Sequence, residues 1–106
     1  MTPMTDTTTA APTTDTVEEL ATIAGHKRDF YYLAVDIVDL LPCMEGSTPA
    51  RVEQAIERAK RAEESWSEAD GKFREAYLAA SRSHSAAGVA FDPQGEYALE
   101  WTRVVS

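Results

Sequence analysis

A seven-residue repeat governs the second half of this chain. Val52, Ala59, Trp66, Phe73 and Ala80 recur at that interval, and Ala55, Ala62, Ala69, Ala76 and Ser83 recur between them. Apolar residues alternating three and four positions apart form one long, narrow stripe on an α-helix, and only a second helix covers such a stripe. A small residue holds every second seam position, so a partner backbone can come close, while Trp66 and Phe73 supply bulk. Thr48 followed by Pro49 is a helix start, because threonine accepts from the first turn and proline is tolerated there; Gly88 is a stop. The spacing predicts a helix over 49–86, roughly 57 Å long. Its outer face carries Glu57 to Arg61, Glu68 to Lys72 and Asp70 to Arg74, solvated pairs worth ~0.3 kcal/mol each. Gly71, mid-helix, points to a kink or a close contact.

The partner helix is expected from residues 17–41. Thr16 with Glu19 three positions on is a capping-box pattern, so the helix should begin near Val17. The run FYYLAVDIV, residues 30–38, is rich in strand-favouring residues, and Tyr31, Leu33, Val35 and Ile37 alternate. Helical geometry nevertheless gathers Glu18, Asp29, Tyr32, Asp36 and Asp39 within a sector about 80° wide, which favours one helix with a wet stripe. Leu20, Ile23, Phe30, Ala34, Ile37, Val38 and Leu41 then face inward. An apolar face so wide asks for several neighbours. The loop PCMEGSTP, residues 42–49, separates the helices with two prolines and a glycine.

The fold class is therefore mainly α, an antiparallel helical hairpin of helices at about 17–41 and 49–86, open to completion by oligomerisation. The second helix overhangs the first, which spans about 37 Å. Either the C-terminal tail or a second chain should cover the excess. In the tail, Asp92 to Gly95 suits a turn, and the residues after Gly95 read two ways. Tyr97, Leu99, Trp101 and Val105 alternate as in a strand, while Tyr97, Trp101 and Val104 make a helical stripe; an extended segment folding back on the hairpin is slightly preferred. Residues 1–15 form a Thr/Pro-rich arm, with eight threonines in the first sixteen positions and no large aliphatic residue beyond methionine, so it is expected to be flexible. Residues 16–106 make a single helical domain.

The net charge is −8, and it is lopsided. Residues 1–50 hold eight acids against Lys27 and Arg28, whereas residues 51–106 hold ten acids against eight bases. That sign disfavours direct contact with nucleic acid or an anionic membrane and suits a basic partner. The lone Cys43 allows no intramolecular disulfide and fits a reducing compartment. No apolar run reaches the ~18 residues of a membrane span and no secretory signal opens the chain, so a cytoplasmic location, or one within a virion, is expected.

Catalytic material is scarce. The chain has no phosphate-binding loop, CxxC pair, HExxH or nucleophile elbow, and neither His26 nor His84 follows a glutamate by three residues as in carboxylate-bridged metal bundles. Asp29, Asp36 and Asp39 lie two and three turns apart, so they could hold a cation only with ligands from elsewhere; a solvated stripe is the better reading. Cys43 has no local base to activate it, and His84 suits a helix C-terminus. No enzyme activity and no cofactor are expected, and a small-molecule ligand is disfavoured.

These features point to a non-catalytic interaction or assembly subunit, acting on a protein partner or on copies of itself. It would use the Ala-rich heptad seam and the aromatic–aliphatic face of the first helix, an architecture common among small structural and accessory subunits, phage particles included. The candidate interaction residues are Phe30, Tyr31, Tyr32, Asp36 and Asp39 on the first helix, Trp66, Phe73 and Tyr77 on the second, and Trp101 in the tail. The alternative is an acidic nucleic-acid mimic that blocks a nucleic-acid-binding protein, with Glu18, Asp29, Asp36, Asp39 and Glu45 in place of phosphates.

Overall fold

The computed structural model describes residues 12–105, and all regular structure among them is helical. Helix α1 runs Thr14–Leu40, a short 3₁₀ turn Leu41–Cys43 follows, α2 runs Pro49–Ala87 and α3 runs Glu96–Val105. Helices α1 and α2 form the expected antiparallel hairpin, and residues 30–38 are helical throughout. Residues 1–11 of the expected arm lie outside the described residues, and Thr14 and Asp15 already belong to α1.

The start of α1 is displaced from Thr16 to Thr13. Thr13 lies in extended backbone and its hydroxyl accepts from the Thr16 amide at 3.2 Å, with the two hydroxyls 3.1 Å apart. Two threonines thus do locally what the Thr16–Glu19 pair would have done one turn later. At α2 the expected signals act as read. Thr48 accepts from the Arg51 amide at 3.3 Å with Pro49 next to it. Gly88, at φ 72°, ends the helix, where its amide and that of Val89 return to the Ser85 and His84 carbonyls. That left-handed turn suits glycine and satisfies the last carbonyls. Through Gly71 the helix continues unbroken, and nothing stands within 4 Å of where its Cβ would be, so the glycine marks neither a break nor a close contact.

The heptad seam is internal from Ala55 to Ala80, with Val52 and Trp66 partly covered, whereas Ser83 at its end is exposed. Ala55, Ala59, Ala62, Ala69, Phe73, Ala76, Tyr77 and Ala80 are the buried residues of α2. Apart from Val17, Phe73, Tyr77 and Pro93, every buried residue among those described is an alanine. The main cluster joins Val17, Ala21 and Ala24 of α1 to Ala69 through Ala80 of α2 and Ala98 of α3, rimmed by Leu20, Phe91, Tyr97 and Trp101. A smaller one, towards the loop, holds only Ala34, Ala59 and Ala62, with Tyr31 and Val38 at its edge.

The tail is a helix where its alternation favours an extended segment. Ala98 is fully buried, Tyr97 and Trp101 flank it on neighbouring turns, and Leu99, needed on the strand's inner face, is 38 % exposed. Period-2 counting gives weight to Leu99 and none to Ala98, the small residue that lets α3 sit down on the hairpin. The overhang of α2 is covered from within the chain, since Phe91 packs edge-on against Tyr77 and beside His84, at ring separations of 5.1 Å each. The irregular stretch leading to α3 is anchored where Glu18 accepts from the Gln94 amide at 2.6 Å, and the chain then bends at Gly95, φ 103°. No helix among the described residues is long and apolar enough to cross a membrane.

Candidate interaction surface

The hairpin has two unlike faces. On one lies α3, held by an aromatic and polar network. Trp66 Nε1 donates to the Tyr97 hydroxyl at 3.0 Å, and Tyr97 donates to Asp70 Oδ1 at 2.5 Å. Asp70 also pairs with Arg74 Nε at 2.8 Å, and the Arg74 guanidinium lies 4.3 Å from the centre of the Trp101 ring. Arg28 bonds Glu100 at 2.8 Å and rests over the Tyr97 ring at 5.2 Å. Tyr77 and Thr102 hydroxyls meet at 3.0 Å, and Thr102 returns to the Ala98 carbonyl at 2.9 Å. Burial, followed by the hydrogen bond to Asp70, pushes the Tyr97 phenol up to about 12, because an ionised ring would lose both hydration and its role as donor. Burial alone would lower Arg28, yet the charge and hydrogen bond of Glu100 and the charge of Asp29 carry it above its ordinary value.

This network absorbs several candidates. Phe73 is fully buried and Tyr77 nearly so, which makes both of them core rather than docking residues. Trp66 and Trp101 are half-buried. Trp66 stacks on Tyr31 at 5.6 Å and meets Tyr32 edge-on at 6.0 Å, while Tyr31 donates to Glu63 at 3.1 Å, a bond to a carboxylate that raises the Tyr31 phenol. The Trp101 indole nitrogen is enclosed without an acceptor among the described residues.

The opposite face is bare. Phe30 is 56 % exposed, Leu33 58 %, Ile37 36 % and Leu40 60 %, with Ile23 exposed above them and Met44 below. Of the seven residues expected to face inward, only Ala34 is buried; Leu20, Val38 and Leu41 are partly covered, and Ile23, Phe30 and Ile37 face outward. The reason is geometric. A single neighbouring helix covers one narrow arc of α1, and the third helix sits on the far side of that arc, against Ala21, Ala24 and Gly25. The uncovered residues fall into a second heptad series, Ile23, Phe30 and Ile37 with His26, Leu33 and Leu40 between them. Ile23, Phe30 and Ile37 are expected to face inward, and the heptad they share with Leu33 and Leu40 instead runs along the uncovered side.

Beside this stripe, a groove of about 420 Å³ runs between the helices, lined by His26, Lys27 and Phe30 on one wall and Arg58, Arg61, Ala62 and Ser65 on the other. Lys27 closes its floor with a 2.6 Å bond to Ser65. Neither Arg58 nor Arg61 is in an ion pair among the described residues. On the outer border of the stripe stand Asp29, paired at 3.5 Å with Arg28, and the exposed Asp36; Asp39 is exposed one turn on. Cys43 is free and exposed in the loop. His84, in the last turn of α2, holds the Ala80 carbonyl at 2.8 Å. The described residues contain no group of three or more His, Cys, Asp or Glu side chains placed to hold a metal ion. Comparison with protein-family models, curated proteins and solved structures finds no match.

Proposed function

We propose that this chain is a non-catalytic protein-interaction or assembly subunit that docks through the bare face of its loop end. One observation carries the reading. The largest apolar side chains of the loop end, Phe30, Leu33, Ile37 and Leu40, face outward in one stripe, while its interior is built from alanine. Scattered exposed leucines are ordinary on a protein surface, whereas a continuous stripe of them is a docking signal. The Ala-rich heptad seam is already filled by α1, so the aromatic–aliphatic face of α1 is what remains for a partner. A free, exposed Cys43 suits a reducing setting, and we place the role in the cytoplasm or within an assembled particle such as a virion.

The test is capture of partners from the native source with tagged wild-type chain and the Ile37→Asp variant, eluted across a salt gradient and identified by mass spectrometry. A protein retained at high salt by wild type and lost by Ile37→Asp supports the reading, because apolar docking is little screened by salt. Equal retention by both chains contradicts it. Release of a nucleic-acid-binding protein at modest salt would favour the acidic mimic instead.

A further inference from the structure

The bare face is polarised across its width, and that polarity selects an occupant. Basic Arg58 and Arg61 of α2 lie on one side, the apolar stripe Ile23–Leu40 of α1 runs along the middle, and acidic Asp29 and Asp36 border it on the side away from α2. Two hydrogen bonds set the register between the helices to within two residues: Lys27 reaches Ser65, and Tyr31 reaches Glu63. Counted from Tyr31–Glu63, Arg58 of antiparallel α2 stands level with Asp36, and counted from Lys27–Ser65 it stands level with Ala34, about 3 Å away along the axis and within the reach of an arginine side chain. Arg61 falls between the levels of Asp29 and Asp36.

We propose that the occupant is a second copy of this chain, docked face to face about a two-fold axis parallel to α1, so that the two α1 helices run in the same direction. This rests on the reading of the loop-end face as a docking surface and goes further by naming its partner. A two-fold axis along the helix direction keeps each residue at its level and exchanges the two borders of the face. Asp36 of one copy then meets Arg58 of the other, and Asp29 meets the neighbourhood of Arg61, twice per dimer. The alternative two-fold axis, across the helices, lays acid over acid and base over base, which costs rather than contributes. An isologous contact needs a surface that complements itself, and this one does so in the parallel orientation.

The area is adequate. Ile23, Phe30, Leu33, Ile37 and Leu40, at 36–60 % exposure, present on the order of 500 Å² of apolar surface per copy, towards the upper end of what a lone monomer shows, and doubled this reaches about 1,000 Å², the lower bound for a small specific dimer. The seven-residue spacing of Ile23, Phe30 and Ile37, with His26, Leu33 and Leu40 between, is the seam along which two parallel helices pack.

Sedimentation equilibrium on the full chain, from micromolar to millimolar concentration, tests the proposal with Ile37→Asp, Asp36→Arg and the exchanged pair Asp36→Arg/Arg58→Asp. All three positions are exposed or rim residues, and circular dichroism checks that each variant stays helical. Wild type is expected to reach twice the chain mass, Ile37→Asp to remain monomeric, Asp36→Arg to raise the dissociation constant about tenfold, and the exchanged pair to recover most of that loss. A spin label on Cys43 gives orientation: parallel copies bring the two labels to the same end, whereas antiparallel ones hold them roughly 30 Å apart or more. Tighter association of Asp36→Arg, widely separated labels, or a wild type monomeric at every concentration overturns the proposal. A monomer whose capture of another protein still disappears with Ile37→Asp refutes the second copy alone, while a dimer indifferent to Ile37→Asp refutes the face itself.

Discussion

The two ends of the hairpin solve the problem of a narrow interior in opposite ways. At the end away from the loop, α1, α2 and α3 enclose Val17, Phe73, Tyr77 and Ala98, and the rings of Tyr97, Trp101 and Phe91 close the rim. At the loop end two helices meet over Ala34, Ala59 and Ala62, and the bulky residues point outward. Close alanine contacts let backbones approach, but each buried methyl contributes only about 0.8 kcal/mol, whereas a buried phenylalanine contributes about 1.5–3 kcal/mol. A third helix is thus what allows large side chains to be used as core. Where it is missing, they are left for something else to cover.

Substitutions sharpen the contrast. Phe73→Ala should cost about 3–5 kcal/mol, since it empties the centre of the three-helix end, while Ile37→Ala at the loop end should cost under ~1 kcal/mol in dilute solution. Denaturant titration of both variants measures the difference, and equal losses would erase the distinction. Trp66→Ala should cost about 2–3 kcal/mol, less than a full core truncation, because the ring is half-buried yet stacks on Tyr31 and donates to Tyr97.

Tyr97→Phe removes a donor to Asp70 and an acceptor from Trp66, and should cost about 1–2 kcal/mol at neutral pH. It also alters the alkaline limb. In the fold the phenol keeps its proton up to about 12, whereas in the unfolded chain it ionises near 10. Stability tied to Tyr97 is therefore fully present below pH 10 and lost as pH rises from 10 to 12. Thermal melts across that window should fall more steeply for wild type than for Tyr97→Phe. The smallest effect is a gain. Gly71→Ala, at an exposed mid-helix site with open space where its Cβ would go, should stabilise by about 0.5–1 kcal/mol in the same titration.

Much of this architecture was legible in the sequence because it rests on local signals. The heptad from Val52 to Ala80, the Thr48–Pro49 start and the Gly88 stop each act within a turn or two, and the structure uses all three. The start of α1 slipped by one turn because a threonine-rich stretch offers several equivalent caps, and Thr13 takes the role read for Thr16. The tail reads almost equally as strand or helix, and Ala98, a residue with no strong pattern of its own, decides in favour of helix because it packs in one cluster with Val17, Ala21 and Ala24. The candidate site was harder to place. Whether Phe30 and Ile37 face a core or solvent depends on which side of α1 the third helix occupies, a tertiary fact that helical periodicity does not contain. Phe73 and Tyr77, singled out for interaction, became the interior for the same reason.

The central claim is that the loop end is finished by another molecule and the three-helix end is not. Hydrogen exchange of the full chain, followed by mass spectrometry at low and at high protein concentration, tests it directly. In dilute solution, amides of residues 30–44 should exchange faster than those of residues 66–80. On concentrating the chain, protection should rise across residues 30–44 and around Arg58 and stay unchanged in α3. Uniform exchange along the hairpin, or new protection appearing at α3 instead, would contradict the account.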